Sequence, residues 1–111
     1  TVTGKTELTA QTSYSETMFT PQTAVEVREV MLENGRSHYA TLLPGSDVGV
    51  KSGTAQVENG AKENSLLTGF VDDPSFPIAF CIRIDDRVSG DVTTSQIAEV
   101  LLQELKTALA P

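Results

Sequence analysis

The sequence is poor in several residue types, and each scarcity excludes something. Of its 111 residues one is cysteine, one is histidine and none is tryptophan. A single thiol, Cys81, cannot close an internal disulfide or build a cysteine-based zinc site. It stands inside the apolar run 78-IAFCI-82, so it reads as a buried, inert thiol. The lack of disulfides leaves the cellular compartment open. Basic residues are also scarce: eight Lys and Arg stand against fifteen Asp and Glu, for a formal net charge of −7. Nucleic acid or anionic lipid as the main partner would need clustered cationic side chains, so the charge argues against both. No apolar run approaches the roughly 20 residues of a membrane span, and no signal peptide is recognisable. His38 lies in a polar stretch with no acidic or serine partner at motif spacing, and reads as a surface residue rather than a base. The chain opens on Thr1, so processing or excision from a longer protein is expected.

What is present suits one small domain with its own core. Hydrophobic residues make up 39% and charged residues 21%, a soluble globular balance. Residues 1–19 are rich in Thr and Ser and read as an extended lead-in, with a short strand over 7–14. Over 20–35, Thr20 is a suitable N-cap and Pro21 suits the first helical position, where its missing N–H is no loss. Ala24, Val27 and Met31, with Val30 beside them, give helical periodicity, and Asn34-Gly35 reads as the left-handed stop. A loop follows over 36–48, with Pro44-Gly45 and Ser46-Asp47 as turn residues. Three strands are expected at 49–57, 65–71 and 77–85, the last being the most apolar and therefore the most central. Their short polar links favour antiparallel neighbours. The last helix, over 93–110, is capped by Thr93 or Thr94. Its broad apolar face carries Ile97, Leu101, Leu105 and Ala108, widened by Ala98, Leu102 and Leu109. The expected fold class is α+β: a three-stranded antiparallel sheet flanked by an N-terminal and a C-terminal helix.

One stretch fits this plan poorly as structure. The first strand contains Lys51-Ser52-Gly53-Thr54, small polar residues where apolar ones would pack. An exposed edge strand is one explanation, since lysine protects such edges from aggregation. Glycine inside a strand weakens it, however, and marks a bulge or a place where something approaches the backbone closely. The second explanation is an anionic ligand lying along the strand. It would take hydrogen bonds from Ser52 and Thr54 and an electrostatic pull from Lys51. Alternation sends Lys51 and Gly53 to one face and Ser52 and Thr54 to the other. One ligand can use all four only along an open edge, so this strand is expected at an edge of the sheet.

Lys51-Ser52-Gly53-Thr54-Ala55-Gln56 resembles the lysine–hydroxyl–glycine motif of penicillin-binding proteins and serine β-lactamases. The six-residue form resembles the transpeptidases in particular. The flanks resemble the family too: 20-TPQTAVEVREVMLENG-35 as the preceding helix, 67-LTGFV-71 and 78-IAFCIRID-85 as the following strands, and the last helix in place and character. The resemblance covers about residues 20–110. It departs at Gly35-Arg36, where the family has Gly-Thr. It implies a partial penicillin-binding protein transpeptidase fold and a D,D-transpeptidase that cross-links peptidoglycan. In such enzymes a serine attacks a stem peptide ending in D-Ala-D-Ala, and β-lactam antibiotics acylate the same serine. Lys51 would then polarise the proton-shuttling hydroxyl network. Ser52 and Thr54 would hold the substrate carboxylate, and Gly53 would keep that wall low. The Thr54 N–H would be one of two oxyanion-hole donors, a loss of about 3–4 kcal/mol if removed. No cofactor and no metal is implied. The implied location is the extracytoplasmic face of the bacterial membrane, with the anchor outside these residues.

The family nucleophile lies in Ser-x-x-Lys and its second motif in Ser-x-Asn. Neither pattern occurs in this sequence. In the family both precede the lysine motif, so the chain resembles the C-terminal segment of a transpeptidase domain, inactive alone, with the remainder of that domain as its partner. Exposed apolar surface is then expected where that remainder would pack. Two alternatives stay open: a catalytically silent binding or sensor module, and a β-lactamase or carboxypeptidase relative. The acidic pairs Asp72-Asp73 and Asp85-Asp86 flank expected turns and read as solvated turn residues, not as a Ca²⁺ or acid–base site.

Overall fold

Thr20 starts the first helix as its residue type predicts: its side chain accepts a hydrogen bond from the Thr23 N–H at 3.2 Å, replacing a partner that the first turn lacks. The computed structural model describes residues 4–6 and 8–110. Helix α1 spans Pro21–His38, strand β1 Asp47–Val57, strand β2 Lys62–Asp72, strand β3 Ala79–Arg87 and helix α2 Thr94–Leu109. A single 3-10 turn, Glu58–Gly60, joins β1 to β2. The fold is α+β, with a three-stranded antiparallel sheet and one helix before and one after it.

The strand order is β1-β2-β3. The middle strand is therefore β2, not the more apolar β3 expected at the centre. Tight links put each strand beside its chain neighbour, and this outweighs apolar content. In β3 only every second residue turns inward: Ile82 is buried, while Ala79, Cys81 and Arg83 are exposed. Cys81 is thus not a buried thiol but an exposed one. The link between β1 and β2 is also shorter than the expected 58–64, because Lys62, Glu63 and Asn64 join the ladder. Glu58, Asn59 and Gly60 all adopt positive φ, which a tight reversal between twisted strands requires.

Register assigns the two faces. Val48 pairs with Val71, Val50 with Gly69 and Ser52 with Leu67, while Leu67 pairs with Ile82. These side chains share one face, on which the core forms. Val48, Val50, Leu67, Val71 and Ile82 bury there with Leu42, Leu43 and Phe76 from the loops and Ala98 and Leu102 from α2. Val50, Leu67, Ala98 and Leu102 are completely buried, each large side chain contributing about 1.5–3 kcal/mol. Helix α2 begins at a capping box, in which Thr93 and Gln96 satisfy each other's backbone N–H. Of its expected stripe, Ile97 and Leu105 pack partly, whereas Leu101 and Leu109 stay exposed.

Helix α1 departs from its expected form twice. It runs three residues past the Asn34-Gly35 stop. Gly35 is helical and buried, and a Cβ there would lie 1.7 Å from the Val48 carbonyl oxygen. The glycine is therefore a contact point with β1, not a terminator. The buried side of α1 carries Leu32 and Gly35, while the expected inner residues Val27 and Val30 are 52% and 70% exposed. With Phe19, Ala24, Met31 and Phe70, Val27 lines an open apolar groove. α1 meets the sheet through Leu32 and Gly35, and that stripe stays uncovered. Residues 8–14 form no strand, and Glu7 lies outside the described residues. An extended segment satisfies its backbone only beside a partner edge, and none pairs with it among the described residues.

Charged side chains clamp the end of the sheet beneath α1. Arg28 pairs with Asp72, and Arg36 reaches Asp47 at 2.9 Å. The Arg36 guanidinium holds the Asp47 carboxyl below its ordinary value. Asp73 accepts from the Ser75 hydroxyl and N–H and from the Ser46 hydroxyl, and it faces Lys106 of α2 at 3.5 Å. These bonds, that of the Ser75 hydroxyl foremost, lower its pKa to about 2. The pair Asp72-Asp73 ties elements together and is not merely solvated.

Candidate functional site

Lys51, Ser52, Gly53 and Thr54 lie in mid-β1, all exposed. Since β1 pairs only with β2 among the described residues, its other side is an open edge. This is the edge position that the side-chain alternation demanded. The Ser52 and Thr54 side chains share the core face with their partners Leu67 and Ser65, and Lys51 and Gly53 share the opposite face with Thr68 and Leu66. On the core face α2 packs towards β2 and β3, and the two hydroxyls remain uncovered.

The backbone orientation of the edge follows from four contacts. In an antiparallel strand the N–H and C=O of one residue point the same way, and successive residues alternate. The carbonyl of Val50 accepts from Asn34 Nδ2 at 3.1 Å. The carbonyl of Val48 abuts Gly35 of the same helix, and the carbonyl of Gly49 points instead at Gly69 of β2. In β2 the Val71 N–H donates away from β1, to Ile78 at 2.8 Å. Even-numbered residues of β1 therefore direct their backbone groups outward. Ser52 and Thr54 belong to that row, so the Thr54 N–H points to the open edge. The Ser52 carbonyl, also in the row, accepts from Lys51 Nζ. The lysine side chain thus curls around to the same edge that the two hydroxyls border.

Packing among the described residues does not require a glycine at Gly53. A Cβ there would meet only the Leu66 Cβ, at 3.8 Å, an ordinary contact. Gly49 differs: a Cβ would fall 2.5 Å from the Phe70 ring. Beside Gly53 a shallow, mostly apolar depression is lined by Thr54, Ala55, Asn64, Leu66 and Arg83. In Arg83 its guanidinium is paired with Asp85 at 2.6 Å.

Together these groups offer an outward N–H, two hydroxyls and an ammonium along one edge, with a glycine where bulk would obstruct. They suit a ligand with anionic or carbonyl oxygens. No side chain here is a nucleophile with an adjacent base: among the described residues the Ser52 hydroxyl has no histidine, carboxylate or lysine bonded to it, Lys51 reaching only the Ser52 carbonyl. His38 ends α1, exposed, and does not join the site. Asp85 pairs with Arg83, and the Asp86 N–H bonds Asn64. Among the described residues no group of three His, Cys, Asp or Glu is placed to hold a metal ion, and no helix is long and apolar enough to cross a membrane. Asn34, which bonds this edge, carries in the sequence only the signature of a helix stop. Comparison with family models, curated proteins and solved structures finds no match.

Proposed function

We propose that this chain forms one wall of the active site of a serine D,D-transpeptidase of the penicillin-binding type, in a protein that also carries a Ser-x-x-Lys nucleophile. The observation that carries the reading is the placement of Lys51-Ser52-Gly53-Thr54 on the open edge of β1, with the even-numbered backbone row outward. In this role the Thr54 N–H stabilises the oxyanion of the tetrahedral intermediate. The Ser52 and Thr54 hydroxyls grip the terminal carboxylate of the D-Ala-D-Ala stem peptide. Lys51 supplies positive charge to the hydroxyl network that passes the proton. Gly53, which the chain's own packing does not require, leaves clearance for the acyl group. The exposed apolar stripes of α1 and α2 suit contact with the remainder of such a domain. β-Lactams, which present a carboxylate and a strained carbonyl, would use the same edge. The protein would act at the extracytoplasmic face of a bacterial membrane.

Fluorescent penicillin tests the proposal. The 111-residue chain and a longer natural protein containing it are incubated with the probe and resolved under denaturing conditions. The expected result is a covalent adduct on the longer protein and none on the chain. A folded longer protein that takes no label refutes the reading, as does an adduct on the chain itself.

A further inference from the structure

Helix α1 meets the outer edge of β1 through two consecutive residues, and the meeting point lies directly before Lys51. The half-buried Asn34 donates from Nδ2 to the Val50 carbonyl at 3.1 Å, while Gly35 admits the Val48 carbonyl. The next outward carbonyl, that of Ser52, is taken by Lys51 Nζ. Three successive outward acceptors of β1 are thus each covered by a group of this chain. The outward N–H groups of Ser52 and Thr54 follow Val50 in the same row. The helix therefore does more than pack against the sheet. It pins the strand at Val50, directly before the exposed Lys51–Thr54 segment.

We infer that Asn34 is a positioning residue for this edge: its amide fixes the height and twist of β1 at Val50, directly before Lys51 and four residues before Thr54, and so aims the Lys51 ammonium and the Thr54 N–H. The catalytic consequence rests on the transpeptidase reading, but the mechanical one does not. A carbonyl that loses a part-buried donor must find water or shift. Shifting is the open course for an edge strand held from one side only. The side chain is specific for the task. Its amide nitrogen is a donor facing an acceptor, so the isosteric Asn34→Asp places a carboxylate against a carbonyl and repels it. Asn34→Ala only removes the bond.

The test uses the 111-residue chain and amide hydrogen exchange read by NMR. With the even row outward, the Lys51 and Gly53 N–H groups face β2, and their protection reports how firmly β1 is held. Asn34→Ala is expected to speed exchange at Lys51 and Gly53 by about tenfold, the weight of one such hydrogen bond, and Asn34→Asp by more. Amides of β2 that face β3, at Leu67, Gly69 and Val71, should keep their rates, since they exchange through opening of the whole sheet. A uniform rise across all these amides, or an Asp variant that behaves like wild type, overturns the inference by reducing Asn34 to a space-filling residue. Unchanged exchange at Lys51 and Gly53 overturns it outright. In the longer protein, Asn34→Ala should slow penicillin acylation about tenfold by the same bond, and Asn34→Gln, which keeps the donor, should recover part of the rate. An acylation rate unchanged by Asn34→Ala, beside altered exchange in the chain, refutes the catalytic half. If no longer protein labels at all, the transpeptidase reading falls while the exchange result still decides the role of Asn34 in the edge.

Discussion

Replacing Gly35 by alanine should reverse an ordinary rule. In a helix interior alanine is favoured over glycine by about 1 kcal/mol, so on the α1 sequence alone Gly35→Ala stabilises. In the folded chain the new methyl would sit 1.7 Å from the Val48 carbonyl oxygen and 2.9 Å from its carbon. A relaxed carbon–oxygen contact needs about 3.3 Å, so helix and strand must part by about 1.6 Å. The obstructing atoms are backbone, so no side-chain rotation relieves the clash. Overpacking of this kind costs about 1–3 kcal/mol, and the upper end applies because both partners are held in regular elements. Against a propensity gain of about 1 kcal/mol, the expected net is a loss of about 2 kcal/mol. For a domain of this size that lowers Tm by about 10 °C. The flanking Asn34–Val50 and Arg36–Asp47 contacts should loosen with it. Thermal and urea unfolding followed by circular dichroism give the answer, with exposed Glu33→Ala as a control expected to stay within about 0.5 kcal/mol. A Gly35→Ala chain as stable as wild type, or more so, would show that α1 does not press on β1 through this residue. The edge geometry argued from that contact would lose one of its supports.

Three further outcomes are expected. Asp73 has a depressed pKa of about 2, so its stabilising contribution is intact above the ordinary carboxylate range and is lost as pH falls from about 4 towards 2. Carbon-detected NMR titration should show the Asp73 midpoint moving up towards the ordinary value in Ser75→Ala, and an unmoved midpoint contradicts the assigned cause. Cys81, exposed on β3, should react with a disulfide reagent in the native chain at a rate close to that of the unfolded one, and a thiol protected until unfolding would mean that β3 presents its other row. Lys51→Ala should leave stability within about 0.5 kcal/mol, since the side chain is exposed. In the longer protein it should slow penicillin acylation about 10²-fold or more, and undiminished acylation removes Lys51 from the mechanism.

Much of the fold was legible because its signals are local. Thr20-Pro21 and Thr93 act within one turn, and the structure places helix starts at both. Short polar links force neighbouring strands to be antiparallel, which made the meander readable before any contact was known. The candidate site was legible in a different way: Gly53 was conspicuous because a strand gains nothing from it, and the fold indeed makes no use of the space. The misreadings share a cause. Asn34-Gly35 has the composition of a helix stop, yet both residues serve contacts with β1, sixteen residues from Asn34 in one case. Ala24, Val27 and Met31 have helical spacing, but spacing reports only that a stripe exists, not what covers it. Cys81 sits in an apolar run, but strand alternation turned it outward.

By itself, then, the sequence determined the element types, their order, the helix starts and the antiparallel meander, all consequences of neighbours within a few residues. It also determined that a lysine, two hydroxyls and a dispensable glycine share one strand. Only the tertiary structure decided which side of α1 faces the sheet, which row of β3 is buried, and which backbone row of β1 looks outward. Those outcomes depend on register and on close approach between elements far apart in the chain. There a shift of one residue exchanges every inward group for an outward one.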